Sequence, residues 1–109
     1  MTSEHSIPNF DPVTFQVLWS RLIAIADEMA VALEKTAFSH VVRDNHDYAC
    51  AVYDADGEMM AEATHCTPGQ IGAMTRVIHQ LLDVYSADTL SPGDVLITND
   101  PWFGSGHTP

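Results

Sequence analysis

The strongest constraint on this chain is an Asp-Pro pair followed by apolar residues at three- and four-residue steps. Asp11 can cap free helix amides, and Pro12 at the first helical position loses nothing, since that amide has no partner in any case. Phe15, Leu18, Leu22, Ile25, Met29 and Leu33 then form one apolar stripe, with Gln16, Ser20, Asp27 and Glu34 off it. The spacing predicts a helix from Asp11-Pro12 to about Thr36 or Ala37. The ten residues before it are polar and are expected to be a disordered tail.

After a polar connection over residues 39–47, Tyr48 to Tyr53 is β-compatible and apolar on both faces. Asp54-Ala55-Asp56-Gly57 is a turn, and Glu58 to Thr64 returns as the second strand of a hairpin. Thr67 and Gln70 have capping-box spacing around Pro68, which predicts a second helix with a buried stripe of Ile71, Met74, Ile78, Leu81 and Tyr85. Ser91-Pro92-Gly93 breaks the chain. Asp94 to Thr98 is expected as a short buried strand, and Asn99 to Pro109 as loop. The fold class is therefore α+β, in the order helix, hairpin, helix, strand, loop.

Composition excludes several functions. Four Lys+Arg stand against 15 Asp+Glu, a formal charge of -11. Such a balance opposes binding to nucleic acid, which needs cations to replace counterions on phosphate, and opposes a polybasic membrane surface. No apolar run approaches the roughly 18 residues of a membrane span, and Met1 to Phe10 carries no basic head or apolar region of a secretory signal. Cys50 and Cys66 form no C-x-x-C pair and read as reduced thiols, so a cytoplasmic location is expected. There is no P-loop motif, no G-x-S-x-G elbow and no H-E-x-x-H pair.

Three segments could carry chemistry. In Asn99-Asp100-Pro101-Trp102-Phe103-Gly104-Ser105-Gly106-His107 an expected strand delivers an acid, and a two-glycine loop delivers a histidine. Carboxylate and imidazole both bind divalent metals. Spacing alone leaves a second reading equally open, in which Asp100 caps a turn and His107 is solvated. In Arg43-Asp44-Asn45-His46-Asp47-Tyr48, Asp47 stands at a strand mouth as a ligand or base, although composition favours a solvated turn with local backbone bonds. In Thr64-His65-Cys66-Thr67-Pro68, His65 precedes a helix N-terminus and Cys66 could be an activated nucleophile. More often such a cysteine is a small buried hydrophobe. His5 and His79 read as incidental.

Several separated stretches together carry a resemblance. They are Asp11-Pro12-Val13-Thr14-Phe15, the hairpin from Asp47-Tyr48-Ala49-Cys50 to Asp54-Ala55-Asp56-Gly57, Gly72-Ala73-Met74, and Pro92-Gly93-Asp94-Val95 through Asn99-Asp100-Pro101-Trp102 to Gly106-His107. In this order they resemble the hydantoinase B/oxoprolinase family over nearly the whole chain from residue 11. The resemblance implies that residues 11–109 are the N-terminal portion of a hydantoinase B-like domain, a fragment of a larger mixed α/β subunit cut inside a motif. It implies the B-type subunit of an ATP-dependent cyclic amidohydrolase, of hydantoinase, 5-oxoprolinase or lactamase type. That subunit works in a hetero-oligomer with a hydantoinase A-like subunit, which binds ATP and phosphorylates a carbonyl of the small cyclic amide. A divalent metal (Zn, Mn or similar) is implied, with Asp47 and His107 as ligands, Asp100 as a further ligand or a group that orients one, and His65, Asn99 and Gly106 lining the site. Ser105 stands where the family often has Thr, which keeps the hydroxyl. Related acetone and acetophenone carboxylases give an alternative function, and a non-catalytic piece acting only in subunit interaction is another.

Overall fold

The computed structural model describes residues 11–102. The expected tail over residues 1–10, and Gly106 and His107, lie outside the described residues. Helix α1 spans Pro12–Thr36, with Asp11 Oδ1 accepting the Thr14 amide at 2.7 Å. The capping expected from Asp11-Pro12 is thus present.

What α1 buries differs from the expected stripe. Phe15, Leu18, Ile25, Met29 and Leu33 are all exposed, and the buried positions are Ala26 and Ala30. The reason is packing distance. The hairpin crosses α1 where small side chains let a backbone approach closely, and the core cluster is Ala26, Ala30, Tyr48 and Ala63, with Val42, Cys50 and Val52 packed against it. Asp27 fixes that crossing, since its two carboxylate oxygens accept the Thr64 amide at 2.7 Å and the Thr64 hydroxyl at 3.0 Å.

The polar connection after α1 contains one helical turn, α2 (His40–Arg43), capped by Ser39 Oγ on the Val41 amide at 3.2 Å. Strands β1 (Ala51–Tyr53) and β2 (Met59–Glu62) then form an antiparallel hairpin, shorter than the sequence suggests. Ala51 pairs with Glu62 and Val52 with Ala61, and the register shifts before Tyr53 pairs with Met59. In the turn, Asp54 Oδ1 accepts the amides of Asp56 and Glu58, each at 2.9 Å. Gly57 has φ +83°, and a Cβ there would stand 2.6 Å from His79 Cδ2. Both facts require glycine. His79, incidental on sequence grounds, donates from Nε2 to the Gly57 carbonyl at 2.9 Å and ties the turn to the second long helix.

That helix, α3, spans Pro68–Val84 and is followed by a 3-10 turn over Ala87–Thr89. Met74, Ile78 and Leu81 are half-buried, whereas Tyr85 is exposed. Residues 94–98 are not a strand. Val95 is 86% and Ile97 93% exposed, and the sheet among the described residues has two strands only. A third strand needs a partner edge to satisfy its amides and carbonyls, and residues 94–98 form no such ladder. Among the described residues no helix is long and apolar enough to cross a membrane.

Candidate functional site

Asp47 sits in a tight corner between α2 and β1. The chain leaves α2 with the Asp44 and Asn45 amides both donating to the His40 carbonyl, at 2.8 and 3.3 Å, and the Asp47 amide reaching back to Val41 O at 3.1 Å. It reverses at His46, which has φ +55°. A left-handed non-glycine residue is uncommon and persists only where its surroundings fix it. Here they do so from two sides.

The first side is α1. Glu34 Oε1 accepts the His46 ring nitrogen Nδ1 at 2.7 Å and also the Tyr48 hydroxyl. These two donors, the Tyr48 hydroxyl first, hold the Glu34 carboxyl below its ordinary value. Tyr48 is 6% exposed. Burial, and then the Glu34 carboxylate, push its phenol up to about 12. The two residues flanking Asp47 are therefore anchored on one carboxylate.

The second side is the start of α3. The Thr67 amide donates to Tyr48 O at 2.9 Å, and Thr67 Oγ1 donates to His46 O at 3.1 Å. Gln70 Nε2 donates to Asp47 Oδ1 at 2.9 Å, and Thr67 Oγ1 stands 3.4 Å from the same oxygen. The capping box expected of Thr67 and Gln70 is not made, since Thr67 gives no side-chain cap to its own helix. Both side chains go to the Asp47 corner instead.

The other candidate residues are placed as follows. His65 is exposed in the link from β2 to α3, two residues before Thr67. Cys66 Sγ donates to Ala63 O at 3.4 Å, and burial pushes its thiol above the ordinary value, as it does at Cys50. That opposes an activated thiolate, which requires a lowered pKa. Asp100 Oδ1 accepts the Trp102 amide at 2.9 Å, the local turn that spacing had left open, and Asn99 is exposed. Among the described residues no group of three or more His, Cys, Asp and Glu side chains stands close enough together to hold a metal ion. Sequence reasoning missed Glu34, Tyr48, Thr67 and Gln70 as the groups that fix Asp47. The Thr67/Gln70 spacing was visible, but it signals a helix cap just as well.

The family model for hydantoinase B/oxoprolinase matches residues 11–109. The chain belongs to the hydantoinase B/oxoprolinase family. Among curated relatives, an uncharacterized protein of Schizosaccharomyces pombe is 39% identical over 99 residues, covering 91% of this chain and 7% of its own length. A putative B-type subunit of a D-/L-hydantoinase from Pseudomonas sp. (strain NS671) is 32% identical over 105 residues, covering 94% of this chain and 18% of its own. The 5-oxoprolinase of Saccharomyces cerevisiae is 36% identical over 101 residues, covering 93% and 8%. The chain thus spans less than a fifth of the length of these relatives. No solved structure shows a significant match.

Within this hydantoinase B/oxoprolinase segment, Asp47 and Glu34 are two half-buried acids in contrasting states. Glu34 is engaged by a phenol and an imidazole. Asp47 meets only neutral donors, and among the described residues it has no ion pair with Lys, Arg or His. One carboxylate bonded to neutral donors is short of the roughly three or four protein ligands of a metal site, so the described residues hold at most one member of such a set.

Proposed function

We propose that this chain is part of the B-type subunit of an ATP-dependent cyclic amidohydrolase, with Asp47 as one carboxylate of its metal site. The single observation that carries the site is the oriented Asp47 carboxylate, whose charge no neighbouring cation offsets among the described residues. Support for the reaction class comes from family membership and from relatives named as a hydantoinase component and as 5-oxoprolinases. Hydantoin and 5-oxoproline are both five-membered cyclic amides.

Asp47 would hold the metal together with His107, with Asp100 as a ligand or as a group that orients one. His65, Asn99 and Gly106 would line the site. A divalent ion such as Zn or Mn supplies polarisation of the ring carbonyl or a bound water of lowered pKa. ATP is consumed by a hydantoinase A-like partner in a cytoplasmic hetero-oligomer, in keeping with the lack of a P-loop here. The chain's own part is to present the Asp47 carboxylate from a corner bonded to both α1 and α3.

The test is Asp47→Ala and His107→Ala in the complete B-type subunit assembled with its ATP-binding partner. Metal content and ATP-dependent ring opening are both expected to fall, and turnover is expected not to depend on bicarbonate. Unchanged metal content with unchanged ring opening in both variants would refute the assignment.

A further inference from the structure

We infer that the large-residue face of α1 is an interface for a second copy of this chain, packed antiparallel so that Arg21 of each copy faces Glu28 of the other. The inference does not rest on the reading of Asp47.

Helix α1 carries two apolar faces. The small residues Ala26 and Ala30 pack in the cluster with the hairpin. The large ones, Phe15, Leu18, Leu22, Ile25 and Met29, recur at alternating steps of three and four, and Ala32 continues the series. That is the repeat of a coiled-coil seam, whose side chains interlock with those of a facing helix. Of these residues Leu22 alone is half-buried, and the others are exposed. At one end of the seam, Phe15, Leu18, Trp19 and Leu22 form with Met60 of β2 an open groove of about 420 Å³.

The charges beside the seam select the occupant. Thr14, Arg21, Glu28 and Lys35 follow one another at seven-residue intervals along one flank, and all four are exposed. Among the described residues neither Arg21 nor Glu28 is in an ion pair. The other flank holds Trp19, Ala26 and Leu33, and Ala26 is already covered in the cluster with the hairpin. Two parallel α1 helices would set each charged flank against the apolar one, with Arg21 facing Ala26 and Glu28 facing Leu33. Neither charge would find a partner. In an antiparallel pair the charged flank meets itself in reverse. With Leu22 of one copy opposite Ile25 of the other, Leu18 falls opposite Met29 and Phe15 opposite Ala32. The same register sets Arg21 against Glu28 at two symmetric crossings. An interface between identical copies has to be self-complementary about a two-fold axis, and this flank is. Two of the chain's four basic residues, Arg21 and Lys35, lie on it, so the acidic excess of the chain is not carried along the seam.

Sedimentation equilibrium of the 109-residue chain tests the inference, with far-UV circular dichroism as the control for folding. The parent is expected to dimerise reversibly with concentration. Arg21→Glu sets like charges at both crossings and is expected to weaken the dimer about tenfold. Glu28→Arg is expected to do the same, and the two changes combined, which restore opposite charges, should dimerise as the parent does. Ile25→Asp puts a charge at the centre of the seam, at a position 48% exposed in the single chain, and should give a monomer of unchanged helix content. Should that variant fail to fold, the two charge variants carry the test alone. A parent that stays monomeric overturns the inference and assigns the seam to another part of a complete subunit or to another protein. A dimer that survives Ile25→Asp, or that the combined charge exchange fails to restore, overturns it as well.

Discussion

Asp47 and Asp100 each stand at the mouth of a short apolar segment, residues 48–53 in one case and 95–98 in the other. Around Asp47 the bonds come from distant parts of the chain. Glu34 lies 12 residues from His46 and 14 from Tyr48, and Gln70 lies 23 residues from Asp47. Around Asp100 the bonds to Thr98 and Trp102 each span two residues, and Trp102 is 91% exposed. The β-branched residues of 95–98 favour a strand at least as well as those of 48–53. The difference is that β1 has β2 beside it and α1 across it. An apolar run becomes a strand only where an edge accepts its backbone bonds.

Emptying the Asp47 corner should be felt most strongly. Tyr48→Ala removes a buried ring from the cluster with Ala26, Ala30 and Ala63. It is expected to cost about 3–5 kcal/mol, the range for deleting a buried aromatic side chain. Urea unfolding of the 109-residue chain measures it. A loss below about 1 kcal/mol, the centre of ordinary point mutations, would mean that the corner does not hold the fold together.

The starts of the two long helices and the hairpin turn were legible in advance, the contrast between the two acids was not, and the missing part has a physical cause. The Asp11-Pro12 start of α1, the Gly57 turn and the Pro68 start of α3 are local signals, and all three are found where the sequence puts them. The buried face of α1 was not legible. Periodicity marks the large apolar residues, whereas packing against a hairpin selected Ala26 and Ala30. Nor was the setting of Asp47. Its partners lie on α1 and α3, and no local pattern announces that a capping residue will serve another segment. A solvated-turn reading was open for both acids, and the bonds from Glu34 and Gln70 that set the Asp47 corner come from segments far along the chain.

A weaker effect on the same corner depends on pH. The Glu34 carboxyl is held below its ordinary value, so its contribution is present above the ordinary carboxylate pKa. It is lost as pH falls through the depressed value. Tyr48 has the opposite sign. Its phenol is raised from 10.0 to about 12, so the protonated form is favoured in the folded state. That contribution is complete below about pH 10 and drains away as pH rises towards about 12. Urea unfolding across the alkaline range should therefore show falling stability in the parent. Tyr48→Phe, which keeps the ring and loses less stability than Tyr48→Ala, should show a flatter alkaline arm. Identical alkaline slopes would detach Tyr48 from the effect.

Before Asp100, a truncation should cost little. Ile97 is 93% exposed in the segment before Asp100, so Ile97→Ala in the 109-residue chain removes little apolar surface from any packed environment. It should change unfolding stability by less than about 0.5 kcal/mol. A buried isoleucine truncated in the same way typically costs about 2–5 kcal/mol, so the two cases differ by more than the error of an unfolding curve. A loss in that higher range would mean that residues 95–98 pack as a strand after all. Asp100 would then stand at a supported strand end as Asp47 does, and the distinction between the two acids would disappear. A loss near zero keeps them distinct, with Ala51–Tyr53 paired as a strand after one acid and Val95 and Ile97 left exposed before the other.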